Sequence, residues 1–103
     1  MPAVEFTDKA EADLEEIVQF TLSTWGVDQA NRYIDGLEQL TARLAEQPAM
    51  GVVSADLAEG LRAFPYQSHV LYYLAERKRL TVVRVLHKRM NPALYMRVGE
   101  GGI

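Results

Sequence analysis

The apolar residues of this chain change their period once, and that change limits what the chain can fold into. Up to Pro48 they recur every three or four positions, and from Gly60 they come in short runs rich in β-branched and aromatic side chains. The first pattern buries one stripe of a helix, and the second buries the faces of strands. A chain of 103 residues makes one domain with one core. Helices followed by strands in one core predict an α+β layer of helices on a sheet.

Val4-Glu5-Phe6 reads as a short opening strand. Asp8 and Glu11 have capping-box spacing, which predicts a helix start. Leu14, Ile17, Val18, Leu22 and Trp25 recur at helical spacing, so the stripe predicts a buried Trp25 where the helix turns onto the sheet. Gly26 is a natural stop. Asp28 predicts the cap of a second helix, whose stripe is Ala30, Tyr33, Ile34, Leu37, Leu40, Thr41 and Leu44, ended by Pro48. So short a turn folds the two helices into an antiparallel hairpin. Residues 48–59 read as a connecting loop, and strands are expected over 61–66, 69–75 and 80–87, joined by short turns as antiparallel neighbours. The expected fold is an N-terminal strand, an antiparallel helical hairpin and a three-stranded antiparallel sheet, in the order β-α-α-β-β-β. Asn91-Pro92 marks a turn, and residues 98–103 are expected to form a mobile tail of the single domain 1–103.

A sheet covered by helices has a second face, which is ordinarily polar. Strict alternation puts Leu80, Val82 and Leu86 on one face and Val83 and Val85 on the other, and 69–75 is apolar on both faces too. The second face therefore needs a cover. Either the 48–59 loop and the tail supply it, or a partner segment does.

Charge is as unevenly spread as period. Residues 1–59 hold three basic and twelve acidic side chains, a net of −9, and residues 60–103 hold eight and two, a net of +6. The total of −3 hides a bipolar molecule whose basic half is suited to an acidic partner or to its own first half. The chain has no cysteine, which excludes a disulfide framework and thiol catalysis. The N-terminus lacks the basic start and apolar run of a signal peptide, and no stretch approaches the ~20 apolar residues of a membrane span. A cytoplasmic protein with no membrane role is expected.

Five short blocks of sequence now matter together. Asp13 to Ile17 reads D-L-x-x-I, Trp25 to Tyr33 reads W-G-x-x-Q-A-x-x-Y, and Leu37 and Leu44 follow. Gly60 to Phe64 reads G-L-R-x-F, His69 to Tyr73 reads H-x-L-Y-Y, and Val82 to Pro92 reads V-V-R-V-L-H-K-R-M-N-P. In this order and spacing the chain resembles the RelE/ParE toxin superfamily, on its ParE branch. The resemblance implies the toxin of a type II toxin–antitoxin pair that traps DNA gyrase on cleaved DNA and works by binding, with no cofactor and no direct nucleic-acid contact. It implies a hetero-oligomer with an antitoxin, of ribbon-helix-helix type, whose flexible C-terminal segment wraps the toxin. The alternatives are a RelE-like endonuclease that cuts messenger RNA on the ribosome and an inactive relative that only binds antitoxin.

The antitoxin segment is expected across the strands, on Arg62, Tyr72, Leu80, Val82, Arg84 and Leu86. The basic tail, with Lys88, Arg89, Met90, Tyr95 and Arg97, combines charge with apolar anchors as interfaces do, and is the expected target-binding region. A ribonuclease needs a general base, a general acid and a cation for the phosphorane. Arg62, Arg84 and His87, with His69 and the tyrosines, are the side chains able to supply these if Arg62 and Arg84 approach across the sheet. Each also has a structural reading, which we prefer: Arg84 paired with a carboxylate on a helix, and His69 and His87 hydrogen-bonded at strand ends. Two histidines and no cysteine give no ligand spacing for a metal.

Overall fold

The computed structural model describes residues 2–96. Arg97 and the 98–103 tail lie outside the described residues. The chain runs β1 (Ala3–Phe6), α1 (Asp8–Trp25), α2 (Val27–Glu46), a 3-10 turn (Pro48–Met50), β2 (Val52–Val53), β3 (Leu61–Tyr66), β4 (His69–Glu76), β5 (Arg79–His87) and α3 (Pro92–Tyr95). The helical hairpin and the strands at 61–66, 69–76 and 79–87 agree with the periodicity. The sheet is larger than expected, with five strands in the order β1-β5-β4-β3-β2. The opening strand joins it parallel to β5 at one edge, and Val52–Val53 from the connecting loop pairs antiparallel with β3 at the other. Among the described residues no helix is long and apolar enough to cross a membrane.

Local chemistry sets the helix starts one residue (α1) and two residues (α2) before the positions that capping rules give. Thr7 caps α1, its hydroxyl accepting the Ala10 N–H at 3.1 Å, and Asp8 stands in the first turn near the positive helix end. Gly26, at φ 97°, closes α1 and opens α2, so Asp28 makes no side-chain cap. The buried side of α2 is the predicted stripe, with only Ile34 half-buried.

The phase of α1 differs from the prediction. Its inward positions are Ala10, Leu14, Ile17 and Thr21, while Leu22 is exposed and Trp25 is 70 % exposed. A hydrophobicity pattern skips Thr21, but its hydroxyl donates to the Ile17 carbonyl at 2.7 Å and so enters the interior already satisfied. The small Ala10, fully buried, plays the same part at the other end.

The core has two parts. Beneath the helices lie Tyr33, Leu37, Leu40 and Leu44 with Leu71, Tyr73, Leu80, Val82 and Val85. On the opposite face lie Leu61, Tyr72, Val83 and Leu86, packed with Leu57, Ala58, Met90 and Met96. The chain's own loop and C-terminal segment therefore cover the second face. Tyr72 and Tyr73 point to opposite faces, as alternation requires. Alternation fails in β5, where a register shift between Tyr72 and Tyr73 pairs Tyr73 with Val82 but Tyr72 with Arg84. Val83 is the extra residue of a β-bulge. Leu80, Val82 and Val85 thus share the helix face, and Val83 and Leu86 the other, which corrects the grouping of Leu80, Val82 and Leu86.

Tyr73 shows how tightly the loop after α2 is seated. Its hydroxyl donates to the Pro48 carbonyl at 2.6 Å, and a Cβ on Gly51 would overlap that hydroxyl. Gly51→Ala should therefore cost about 1–3 kcal/mol through overpacking. Leu44→Ala, at a fully buried position, should cost about 2–5 kcal/mol. Trp25→Ala should stay within about 0.5 kcal/mol, as exposed substitutions do. Urea unfolding followed by circular dichroism measures all three, and a large loss at Trp25 would contradict the α1 phase described above.

Candidate functional site

The parallel pairing of β1 with β5 stops at Phe6 and Val82, which leaves the rest of that β5 edge without a strand. Side chains of the following turn and helix take over. The Thr7 hydroxyl donates to the Val83 carbonyl at 2.8 Å, and Asp13 Oδ2 accepts the Val85 N–H at 3.0 Å. The same carboxylate holds Arg84, with Nε on Oδ2 at 2.7 Å and Nη2 on Oδ1 at 2.8 Å. Both side chains are largely buried, at 14 % and 13 % exposure. Such a forked pair is short and directional. The remaining Arg84 nitrogen, Nη1, donates to the Tyr95 carbonyl at 2.6 Å.

Beside this pair the C-terminal half of α1 overhangs the end of the sheet and forms a cleft of about 450 Å³. Phe20 and Trp25 form its rim, 65 % and 70 % exposed. Tyr33, His69 and His87 also line it, with Glu16, Gln29 and Met90. The His69 and His87 rings meet edge to face with centroids 5.5 Å apart, and Tyr33 stands edge-on to His69 at 5.8 Å. Burial first, then the neighbouring Tyr66, raises the Tyr33 hydroxyl well above the ordinary tyrosine range. Burial also lowers the His69 pKa below 6.5, helped by His87 and Lys88 and opposed by Asp13. The Tyr33 hydroxyl and His69 Nδ1 are hydrogen-bonded at 3.3 Å.

Of the ribonuclease scheme, His69, His87 and Tyr33 come together in the cleft, while Arg62 and Arg84 are engaged in other bonds. β4 lies between β3 and β5, so Arg62 and Arg84 start two strand spacings apart, roughly 10 Å. Arg62 instead donates to the Gly51 carbonyl at 2.8 Å. Arg84 is committed to Asp13 and Tyr95, the helix-borne carboxylate its structural reading called for. His87 is exposed, and its Nδ1 accepts the Arg89 N–H at 3.0 Å within the turn that follows β5. Among the described residues, no group of three or more His, Asp or Glu could hold a metal ion.

The residues expected to meet an antitoxin are also dispersed. Leu80 and Val82 are buried beneath the helices and offer no surface, and the bulge after Val82 turns Leu86 to the opposite face. Tyr72 and Leu86 are buried on the second face under Met90 and Met96. Of the residues expected to meet the target, Lys88 and Arg89 are exposed, Tyr95 is 41 % exposed, and Met90 is partly buried against the second face. The cleft itself is absent from the sequence reading. Its lining converges from α1, α2, the β3–β4 turn and β5, and no local pattern joins Trp25 to His87. The misjudged phase of α1 also hid the exposed aromatic rim.

A family model described as "ParE toxin of type II toxin-antitoxin system, parDE" matches residues 4–92. Toxin ParE1 of Mycobacterium tuberculosis H37Rv is 40% identical over 83 residues, covering 80% of this chain and 85% of that protein. Toxin ParE1 of Caulobacter vibrioides is 33% identical over 96 residues, covering 93% and 99%, and Toxin ParE from Escherichia coli 37% over 92 residues, covering 88% and 89%. A chain of the chromosomal ParDE system from P. aeruginosa superposes with a TM-score of 0.68 at 18% identity, over 84% of this chain and 96% of that one, and so shares the fold.

The lowered pKa of His69 predicts a pH dependence. The unfolded chain takes up a proton on this ring near pH 6.5, whereas the folded chain resists until lower pH. Between those two values the unfolded state binds more protons, so stability falls as pH is lowered. His69→Gln should flatten that part of the curve relative to wild type in urea titrations between pH 7.5 and 5. Parallel curves would show that His69 titrates alike in both states.

Proposed function

The chain belongs to the ParE toxin family of type II toxin–antitoxin systems, and from that premise we propose that it inhibits DNA gyrase by binding, without catalysis, until a cognate antitoxin silences it. One observation carries the non-enzymatic reading. Arg62, Arg84 and His87 each serve a structural bond, to Gly51, to Asp13 and Tyr95, and to Arg89. A phosphorane needs cations and an acid–base pair converging on one point. Arg62 and Arg84, the two cations, are held by different partners.

The surfaces left open fit two binding events. Both sheet faces are covered by the chain's own residues, and the Phe20–Trp25 cleft is a concave apolar surface open to an antitoxin segment. A flexible segment that folds on binding needs apolar anchors to offset its ordering, and that rim offers them. The C-terminal segment supplies the target surface: Lys88 and Arg89 beside exposed Leu94 and Tyr95, with Arg97 following in sequence. A ribbon-helix-helix antitoxin would assemble with the toxin into a hetero-oligomer in the cytoplasm.

Two sets of variants test the division of labour. His87→Gln should leave growth arrest on induction within about tenfold of wild type, whereas a nuclease relying on this acid–base group would lose roughly 10²–10⁴ in rate. Deleting residues 88–103 should abolish arrest. Phe20→Glu combined with Trp25→Glu should weaken antitoxin binding by about thirtyfold or more, the loss of two aromatic anchors, measured by titration calorimetry. Unchanged affinity would place the antitoxin elsewhere.

A further inference from the structure

We infer that Arg84, held in plane by Asp13, is the positioning residue of the C-terminal segment, fixing α3 where its exposed side chains meet the target; this rests on the reading that the segment contacts gyrase. α3 has four residues, too few to persist alone. Its own support is small: Asn91 Oδ1 accepts the Ala93 N–H at 3.1 Å, and the Leu94 and Met96 N–H groups bond back to Asn91 and Pro92. Something must hold this single turn at a set height and angle. Met96, 5 % exposed on the second face, anchors one side. The other anchor is the Tyr95 carbonyl, which accepts Arg84 Nη1 at 2.6 Å.

The geometry makes this bond directional. A guanidinium is planar, so a carboxylate gripping Nε and Nη2 fixes the direction of Nη1. Asp13 is itself fixed, because α1 carries it and the Val85 N–H donates to it at 3.0 Å. Position therefore passes from α1 through Asp13 to Arg84, and from Arg84 to the backbone of α3. The cation also stands at the C-terminal carbonyls of α3, where positive charge is favoured. Leu94 and Tyr95, 62 % and 41 % exposed, are the side chains so presented. Arg84 acts through Tyr95 and need not touch the target.

Arg84→Lys in the full chain is the test. Lysine keeps the charge, but one ammonium cannot grip both carboxylate oxygens and reach the Tyr95 carbonyl. Amide exchange of Leu94 and Met96 should speed by about tenfold or more, the worth of one charge-assisted hydrogen bond. The concentration giving half-maximal gyrase–DNA cleavage complex should rise by a similar factor. Leu44→Val, a buried change away from the segment, serves as a stability-matched control and should alter neither. Exchange at Leu94 and Met96 no faster than in that control overturns the positioning role. Faster exchange with unchanged gyrase potency supports the tether and overturns the reading of the segment as the gyrase contact. If Arg84→Lys fails to fold, Asp13→Asn is read in the same way.

Discussion

The structure depends on how the edge of β5 is completed after β1 ends. A strand edge carries backbone donors and acceptors that cannot be left unpaired in the interior. Here the deficit falls beside a bulge, and Thr7 and Asp13 remove it with side-chain atoms in place of a strand. One carboxylate then has three tasks: it takes the Val85 N–H, neutralises Arg84 and fixes the distance of α1 from the sheet. Removing one member of such a buried pair leaves the other uncompensated, typically a loss of 3–5 kcal/mol. Among the described residues, no buried side-chain nitrogen or oxygen lacks a partner.

That junction also separates what the sequence made legible from what it hid. The α2 stripe was readable because seven apolar or small residues recur with a single period, and six of them are buried. The last three strands were readable because turns of polar residues separate β-branched runs. The bulge was not, because an extra residue leaves no mark on composition, yet it reverses the faces of every residue beyond Val83. Trp25 was misplaced because it ends the apolar stripe of Leu14, Ile17, Val18 and Leu22, whereas Thr21 and Ala10 occupy the inward side of α1. Arg84 was correctly read as the partner of a helical carboxylate. That this carboxylate is Asp13, 71 positions away, follows only from the fold.

The bipolar charge takes on meaning in the folded molecule. Part of it is internal, since Asp13 pairs with Arg84, and Arg79 pairs with Glu5 and Glu76. The exposed pairs contribute little, and the largely buried one organises the site. Of the remaining basic residues, Arg77 and Lys78 stand exposed in the β4–β5 turn, and Lys88 and Arg89 lie beyond β5, next to exposed apolar side chains. An inhibitor needs two separable surfaces, one for its target and one for its antidote. The C-terminal segment and the cleft at the end of α1 adjoin through Met90, so an antitoxin filling the cleft also crowds the segment. On the proposed reading, neutralisation would require no change of fold.

The central claim is that this toxin acts by binding gyrase. The most direct measurement incubates the purified protein with gyrase, ATP and plasmid, then denatures the mixture to reveal DNA held cleaved. The account predicts linear DNA that rises with toxin, saturates, and disappears when antitoxin is added, while messenger RNA on translating ribosomes stays intact. Unaltered supercoiling with no linear product, alongside codon-positioned cuts in ribosome-bound messenger RNA, would contradict it.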